Sequence, residues 1–543
     1  MALDNNEKPL AEMVVERLRA HGVSRIFGVP GGGSSLQIID AAARNDIPFT
    51  LTRNEASAII MAAVTGELSG SPGAALTTKG PGIANGANGL AYAMLDRAPA
   101  IILADGFDAP GLAYQSHQVF DQTALVAPVT KARSRLESDD PSGELGDLLA
   151  CAMAHPRGPV YCEFTAARGR KPVTAPPPGN GAPVTEPEPD PSRIRAARDL
   201  LAGKARPVIV AGLQTVRDPR YGAALRRLVD QLQCPVLPTY KAKGVIPDNH
   251  PGVVGLYVGG AGEQPVIADG DLVIMIGADP VEFALQPWRY PDHPVIELTL
   301  HPFDRNYFEP QVSIVGALDL AMDALVAPTA SAGGWSAREI EAHRLALREC
   351  LRADGAGEIT PQHVIDAVCA NAPDHARISV DAGAHMLGVM AYWEADQAND
   401  VLISNGLATM AFALPAAIAA ALHEPDRPVI AFTGDGGLAM CLGELATAAQ
   451  ERCNLTVVVF NDSALSMIGV KQASSGYEAL GVDFSESDFA AVATGLGLKG
   501  FSCRRRDALE TTLREAFAHP GPSLVDIRVD PAGYRDQVKR LRG

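Results

Sequence analysis

FTGDGGLAMCLGELATAAQERCNLTVVVFNDSALSMIGVKQ, residues 432–472, sets two short apolar strands around a glycine turn and a helical stretch. The first strand, PVIAF at 428–432, ends in Thr433-Gly434-Asp435-Gly436-Gly437 and runs into LAMCLGELATAAQ at 438–450; the second, LTVVVF at 455–460, ends in Asn461-Asp462-Ser463. Strand, helix and strand make a βαβ unit, which brings the carboxyl ends of two parallel strands side by side. Free backbone N–H groups and a positive helix end then face outward from the turn, which suits a diphosphate, and the glycines let it approach closely. An aspartate sits there beside phosphates only if a cation lies between. Asn461 closes the neighbouring strand 26 residues after Asp435. A hard cation such as Mg²⁺ takes oxygen ligands in octahedral array. Asp435, the Asn461 side chain and the Ser463 carbonyl are the candidates.

The same alternation runs along the chain. RIFGVPG, FTLTRNE, GAALTTKGPG, AIILADG and PVYCEFT precede residue 166; PVIVAG, CPVLPTY, DLVIMIGADP and PVIELTL follow between 207 and 300; RISVDAG, DVLISN and SLVDIRVD join the opening pair after 376. Continuous apolar strands separated by helices predict parallel sheets covered on both faces. The fold class is therefore α/β, with three doubly wound parallel-sheet domains. The Pro/Gly-rich stretch PVTAPPPGNGAPVTEPEPDP at 172–191 predicts an extended linker, and APTASAGGWSA at 327–337 a second break. Domains are expected over 1–171, 192–326 and 338–543, each near the usual size. In such sheets ligands bind beyond the carboxyl ends of the strands.

A chain of 543 residues has ample length for several buried cores. Its formal net charge of -17 and the lack of any long Lys/Arg block exclude an electrostatic nucleic-acid or membrane footprint. Small molecules and other copies of the chain are the expected partners. Eight cysteines without a C-x-x-C pair fit a reducing compartment and are expected as buried or inert thiols. No apolar run reaches membrane-spanning length, and MALDNNEKPLAEMVVERL reads as a charged start leading into an amphipathic helix, so a cytoplasmic protein is expected.

The G-D-G turn followed by Asn461 resembles the diphosphate and Mg²⁺ motif of thiamine-diphosphate-dependent enzymes. That resemblance implies a Glu at a strand end of the first domain, held against the pyrimidine ring of thiamine diphosphate to activate the cofactor. Glu55, in FTLTRNEASAIIMAAVTGELSG at 49–70, matches it; by position alone it is also a helix-start acid favoured by the dipole. TTKGPGIANG at 77–86 resembles the family's G-P-G turn, at Gly80, Pro81 and Gly82, with Lys79 where a small residue is usual. SNGLATMAFALPAAIAAAL at 404–422 resembles GLGAMGFGLPAAIGAA, which implies Met410 as the apolar wedge under the cofactor and the Ala408 carbonyl as acceptor for the cofactor's 4′-amino group; core filling is the commoner use of Met. SVDAGAHM at 379–386 resembles a DVGQH element near the diphosphate and implies Ala384 and His385, though His385 also reads as a satisfied loop histidine. The family's cofactor contacts further carry over to Pro30, Gly31, Asn85, Gly434, Gly436, Gly437, Ala464, Leu465 and Met467. The three domains then become pyrimidine-binding, central Rossmann-like and diphosphate-binding. The family's active sites lie between subunits, implying a homodimer or homotetramer.

All three domains align in order with acetolactate-synthase-like enzymes. SHQVFDQTALVAPVTKA at 116–132 resembles FQELDQVALFRPITK, implying Gln118 as the substrate-side amide, with His117 where Phe is usual. GADPVEFALQPW at 277–288 stands where flavin-containing relatives have a basic RFDDR segment, arguing against FAD, with Asp279 and Glu282 as the opposing acids. NDSALSMIGVKQ at 461–472 lacks the Trp that lines the pocket of anabolic acetolactate synthases and has Lys471 near that position. GVPGGGSS at 28–35 has no His over the thiazolium, so further acid–base work falls to His117, Gln118 or solvent. The expected activity is thiamine-diphosphate- and Mg²⁺-dependent C–C bond cleavage or formation on a 2-oxo acid, of the acetolactate synthase type. A plain 2-oxo acid decarboxylase and a benzoin-type aldehyde lyase are the alternatives within the class. A nicotinamide dehydrogenase, hinted at by GPGIANG, fails the dinucleotide fingerprint because its last Gly falls one place late. A non-catalytic binding protein on the same fold is opposed by Glu55.

Overall fold

The computed structural model describes residues 7–174, 186–283, 290–304, 307–326 and 333–542. Its strands form where apolar runs carry no polar alternation, because helices cover both sheet faces and no position turns to water. Val208, Ile209, Val210 and Ala211, all fully buried, illustrate the rule.

Three parallel sheets result, as the sequence predicts. The first runs edge to edge through Phe49–Leu51, Ile26–Val29, Gly73–Thr77, Ala100–Asp105, Pro159–Phe164 and Arg133–Ser134. The central sheet runs through Val236–Pro238, Pro207–Ala211, Leu272–Ile276, Val295–Thr299 and Val312–Val315. The third runs through Val401–Ile403, Arg377–Val380, Val429–Gly434, Leu455–Asn461, Ser523–Arg528 and Lys499–Cys503. Numbered within each unit, the first and third sheets share the order 2-1-3-4-6-5. Strand periodicity carries no information on pairing order, so the sequence reading does not foresee this repetition. In both sheets the order reverses between the first and third strands, and a crevice opens there. Pro30–Gly33 and Lys79–Gly82 flank that point in the first sheet, Asp381–His385 and Gly434–Gly437 in the third.

The first and third units share one core. Helix Glu55–Ser69 is buried on nearly every side, as expected of a helix apolar all round. Its Ala58, Ile59 and Ala62 belong to the same cluster as Phe412, Ala416 and Ala420 around helix Ala413–His423. Small residues let the two helices approach closely.

The helix that the sequence predicts over 438–450 is broken in two. It begins at Asp435, stops at Met440 and resumes as Glu444–Gln450. The first unit pins the second piece: Glu444 accepts the Arg53 N–H at 3.0 Å. Gly443, a weak helix former, lies at the junction, where a Cβ would come within 3.1 Å of Arg53 Cβ.

Of the predicted linker, Pro172–Thr174 pairs antiparallel with Glu7–Pro9 as an edge ribbon, residues 175–185 lie outside the described residues, and Pro191 opens helix Pro191–Ala202. Residues 327–332 of the second break are likewise outside them. Trp335 is buried in the central core with its indole N–H on the Pro207 carbonyl at 3.0 Å. Helix Ala337–Cys350, grouped by sequence with the third unit, packs Ile340 and Leu347 on that central core. The cysteines are unbridged, and Cys369, exposed on helix Pro361–Asn371, gives its thiol to the Tyr392 carbonyl at 3.7 Å.

Candidate functional site

A cavity of about 1220 Å³ opens at the switch point of the third sheet and reaches the central unit. Gly434, Asp435, Gly436 and Gly437 line it together with Ala384, His385, Ala408, Met410, Ala464, Leu465 and Met467. Eleven expected cofactor contacts thus converge on one space. Asn461 and Ser463 stand just behind its wall, and Asp462, singled out by no sequence argument, lines it instead.

Strands Val429–Gly434 and Leu455–Asn461 are parallel neighbours, with Gly434 opposite Phe460, so the two polar strand ends lie side by side. Asp435 accepts the Gly436 N–H at 2.7 Å and the Ser463 N–H at 2.6 Å. Burial raises its pKa, against those backbone donors. The Asn461 amide nitrogen donates to Asp526 at 2.9 Å and to the Ser487 carbonyl at 3.1 Å, while its oxygen accepts from Arg528 at 3.2 Å. The Ser463 carbonyl accepts the Phe484 N–H at 2.7 Å. Asp435 and Ser463 are therefore in contact, and Asn461 is turned towards Asp526 and Arg528. The donor set still fits a hard cation: one carboxylate, one amide oxygen and one carbonyl, the oxygens keeping a second lone pair each. Asp462 is pushed up to about 6, by burial first and by the charge of Asp435. No cluster of three His, Cys, Asp or Glu that could hold a metal occurs among the described residues.

Two carboxylates that sequence reasoning passed over organise the loops. Asp381, fully buried, accepts from the Ala411 and Phe412 N–H groups at 3.2 and 3.0 Å and from the Thr433 hydroxyl at 2.9 Å. Burial raises it to about 6. A Cβ at Gly437 would lie 2.1 Å from its carboxylate, so that glycine is required by packing. Asp96, from the first unit, accepts the Asn405 N–H at 2.8 Å and the Gly406 N–H at 3.3 Å. Its signal was an acid beside the first-unit helix Ala87–Leu95; nothing local reveals that its partners are more than three hundred residues away.

His385 stacks on Phe460 with ring centroids 5.1 Å apart, and burial lowers its pKa to about 4, which keeps the imidazole neutral. Its Nε2 is buried without a hydrogen-bond partner, in a side chain that lines the cavity. A missing polar ligand atom is the kind of group such an orphan accommodates. Met410 reaches Gly436: a Cβ there would meet Met410 Cε at 3.4 Å and Leu465 Cδ2 at 3.0 Å.

The first-unit residues form a second group. Asn54 caps helix Glu55–Ser69, its side chain accepting from Ala56 and Ser57, which sets Glu55 at the first helical position. The Asn85 amide donates to Glu55 at 2.6 Å, joining two of the predicted residues. Gly80, with φ 67°, needs its glycine, and a Cβ would meet the Gln118 carbonyl at 2.7 Å. Gln118 and His117 are both exposed, and Gln118 itself has φ 63°. A Cβ at Gly31 would come within 2.1 Å of Thr78 Oγ1; Pro30 beside it is exposed. None of these residues lines the cavity of the same chain.

The two acids of 277–288 have structural work. Asp279 is bonded bidentately by Arg97 at 2.9 and 3.1 Å. Glu282 accepts from the Leu213 and Asp279 N–H groups and the Thr239 hydroxyl, with its pKa raised to about 7 by burial. The charge argument against a flavin pyrophosphate therefore does not rest on these acids; residues 284–289 lie outside the described residues.

A crevice of this architecture, with a glycine turn and an aspartate at the strand end, defines a nucleotide- or diphosphate-cofactor enzyme of the doubly wound class. Comparison makes the assignment particular. Three family profiles match in order: the thiamine pyrophosphate enzyme N-terminal TPP binding domain over residues 8–125, the central domain over 194–325, and the C-terminal TPP binding domain over 381–527. The chain belongs to the thiamine pyrophosphate enzymes and is acetolactate-synthase-like along nearly its whole length. It is 29% identical to a catabolic acetolactate synthase of Raoultella terrigena, over 97% of this chain and 95% of that protein. It is 27% identical to the acetolactate synthase isozyme 1 large subunit of Escherichia coli, over 96% of this chain and 94% of that one. A probable 2-ketoarginine decarboxylase, AruI, of Pseudomonas aeruginosa is 29% identical over 95% of this chain and 93% of its own. No helix among the described residues is long and apolar enough to cross a membrane.

Proposed function

We propose that this enzyme uses thiamine diphosphate with Mg²⁺ to break and form C–C bonds at the carbonyl carbon of a 2-oxo acid, as an acetolactate-synthase-like carboligase. The observation that carries the reading is the convergence of Asp435, the Gly434–Gly437 turn, the Met410 loop and orphaned His385 on one cavity. Bound there, the cofactor would supply the electron sink that lets a bond beside a carbonyl break heterolytically. Asp435, Ser463 and Asn461 are the oxygen donors for the metal. Met410 and Leu465 would press the cofactor from one side, and the Ala408 carbonyl would orient it. Neutral His385 is free to offer or accept one hydrogen bond at Nε2. Glu55, supported by Asn85, is the acid for the pyrimidine ring, and Gln118 with His117 faces the substrate.

Because Glu55 lies outside the cavity of its own chain, the reading includes a second copy that brings Glu55 to Asp435 across a two-fold interface, as a homodimer or homotetramer. The unbridged cysteines support a cytoplasmic setting. A decarboxylase is the second reading, favoured by the decarboxylase among the relatives and by Lys471 in place of an aromatic wall. The test is incubation of the reconstituted protein with pyruvate alone and with an added aldehyde, products identified by mass spectrometry. Acetolactate or a mixed hydroxyketone supports carboligation, free acetaldehyde alone supports the second reading, and no turnover of any 2-oxo acid by cofactor-loaded protein overturns both.

A further inference from the structure

Helix Ser466–Ser474 forms part of the cavity wall, and Ser466, Met467, Ile468 and Lys471 line it. Its Met467 and Val470 pack against Ala384 and Tyr534, which fixes the rotation of the helix. Ile468 and Lys471, three residues apart, then share the adjoining stripe. Lys471 is the one Lys or Arg that lines the cavity among the described residues. Lys471 is exposed, at the open rim of the cavity, and its ammonium makes no hydrogen bond or ion pair among the described residues. Asp435 and Asp462, the nearest acids of the wall by sequence, bond Ser463 and Ser466 rather than Lys471.

We infer that Lys471 recognises a substrate carboxylate that is retained in the product. The inference rests on the reading of the cavity as a 2-oxo acid site. In either reaction above the donor loses its C1 carboxylate as CO₂, and negative charge leaves that group as the bond breaks. A cation holding it would stabilise the ground state more than the transition state and slow the step. A cation on the cavity rim is useful on a carboxylate that survives. Two sources share this chemistry: the far carboxylate of a 2-oxo diacid donor, and the carboxylate of a 2-oxo acid acceptor. The flexible stem and mobile ammonium of lysine suit such a point-charge contact at the rim of a site.

The experiment compares the wild-type holoenzyme with Lys471→Gln and Lys471→Arg. The donor arm measures the ratio of kcat/KM for 2-oxoglutarate to that for 2-oxopentanoate, which match in chain length. The acceptor arm measures how product divides between a 2-oxo acid acceptor and an aldehyde acceptor. A third readout, independent of turnover, is the affinity of unreactive glutarate by calorimetry. Lys471→Gln should weaken glutarate and lower one of the two ratios by about 10- to 100-fold, the worth of a hydrogen bond to a charged group, and Lys471→Arg should restore most of it. A shift in the first ratio assigns the diacid donor; a shift confined to the second assigns the acceptor. If the enzyme turns over 2-oxo acids while Lys471→Gln moves neither ratio nor glutarate affinity, the inference is overturned and the reading of the site stands. If glutarate binding depends on Lys471 but no 2-oxo acid is turned over, the reading of the site fails and the carboxylate contact is supported.

Discussion

Replacing Asp435 with Asn keeps the size of the side chain and removes its charge. In the native structure the two carboxylate oxygens take the Gly436 and Ser463 N–H groups at 2.7 and 2.6 Å. An amide offers its one oxygen to one of them, and the other N–H then faces an NH₂ group. Leaving such a donor unsatisfied costs about 1–3 kcal/mol. Burial has raised the pKa of Asp435, however, so the ionised acid carries a desolvation cost that Asn lacks. The two effects oppose each other, and the apo protein is expected to lose about 1 kcal/mol. Ligand linkage is another matter. A ligand at 100 times its Kd adds about 2.7 kcal/mol to native stability, and with no carboxylate to hold the cation between protein and diphosphate that increment should vanish. The assay is urea unfolding with and without thiamine diphosphate and Mg²⁺, alongside calorimetric titration. Similar apo curves with the ligand increment confined to wild type are expected. An undiminished increment in Asp435→Asn would refute the metal role, and a large apo loss would mark Asp435 as a structural brace.

Glu55→Gln should keep its bond from Asn85 by turning its carbonyl towards that amide, bind the cofactor, and lose turnover by about 10²–10⁴-fold, with slowed deuterium exchange at C2 of the bound cofactor by NMR. Wild-type exchange and turnover would remove Glu55 from the chemistry. Asp381→Asn tests a buried titration. The folded-state pKa of about 6 lies above the ordinary 3.8, so the wild type binds a proton more tightly when folded and loses stability as pH rises from about 4 to about 6. Asn does not titrate, so the variant should gain about 3 kcal/mol relative to wild type across that window, read from unfolding curves at several pH values. A flat difference would mean that Asp381 ionises normally. Sedimentation of the active protein should show at least a dimer, and a fully active monomer would refute the shared site.

The fold was legible because burial on both faces leaves an unmistakable mark: runs such as LVIMI at 272–276 have no polar position, and helices separate them. The glycine turn was legible because its glycines punctuate a strand-to-helix junction, and Gly437 leaves no room for a Cβ beside Asp381. Asp381 and Asp96 were missed because a carboxylate that bonds backbone N–H groups leaves no periodicity, and those groups belong to segments distant in the chain. The break after Met440 was hidden because it depends on Arg53 of another unit gripping Glu444. Asn461 was placed correctly at the end of its strand, yet its rotation towards Asp526 follows from a strand that enters the sheet 65 residues later.

Strain and charge are paired around the cavity. Ala408, Ala411 and Ser463 have φ of 52°, 65° and 60°, a conformation that costs a residue with a Cβ about 1–2 kcal/mol each. Each strained segment is met by a buried carboxylate. Asp96 takes N–H groups of the turn leading to Ala408, Asp381 takes that of Ala411, and Asp435 takes that of Ser463. A hydrogen bond to a charged acceptor contributes about 1.5–3 kcal/mol, so one such bond per segment offsets the strain. Two of the acids stand within the third unit, whereas Asp96 comes from the first and is itself approached by Lys241 of the central unit at 3.6 Å. The loop that carries Ala408 and Met410 into the cavity is therefore held by a residue that all three units position. Loosening their packing should release that loop before it unfolds any sheet, so under the proposed reading of the cavity cofactor affinity should report how firmly the three units are docked.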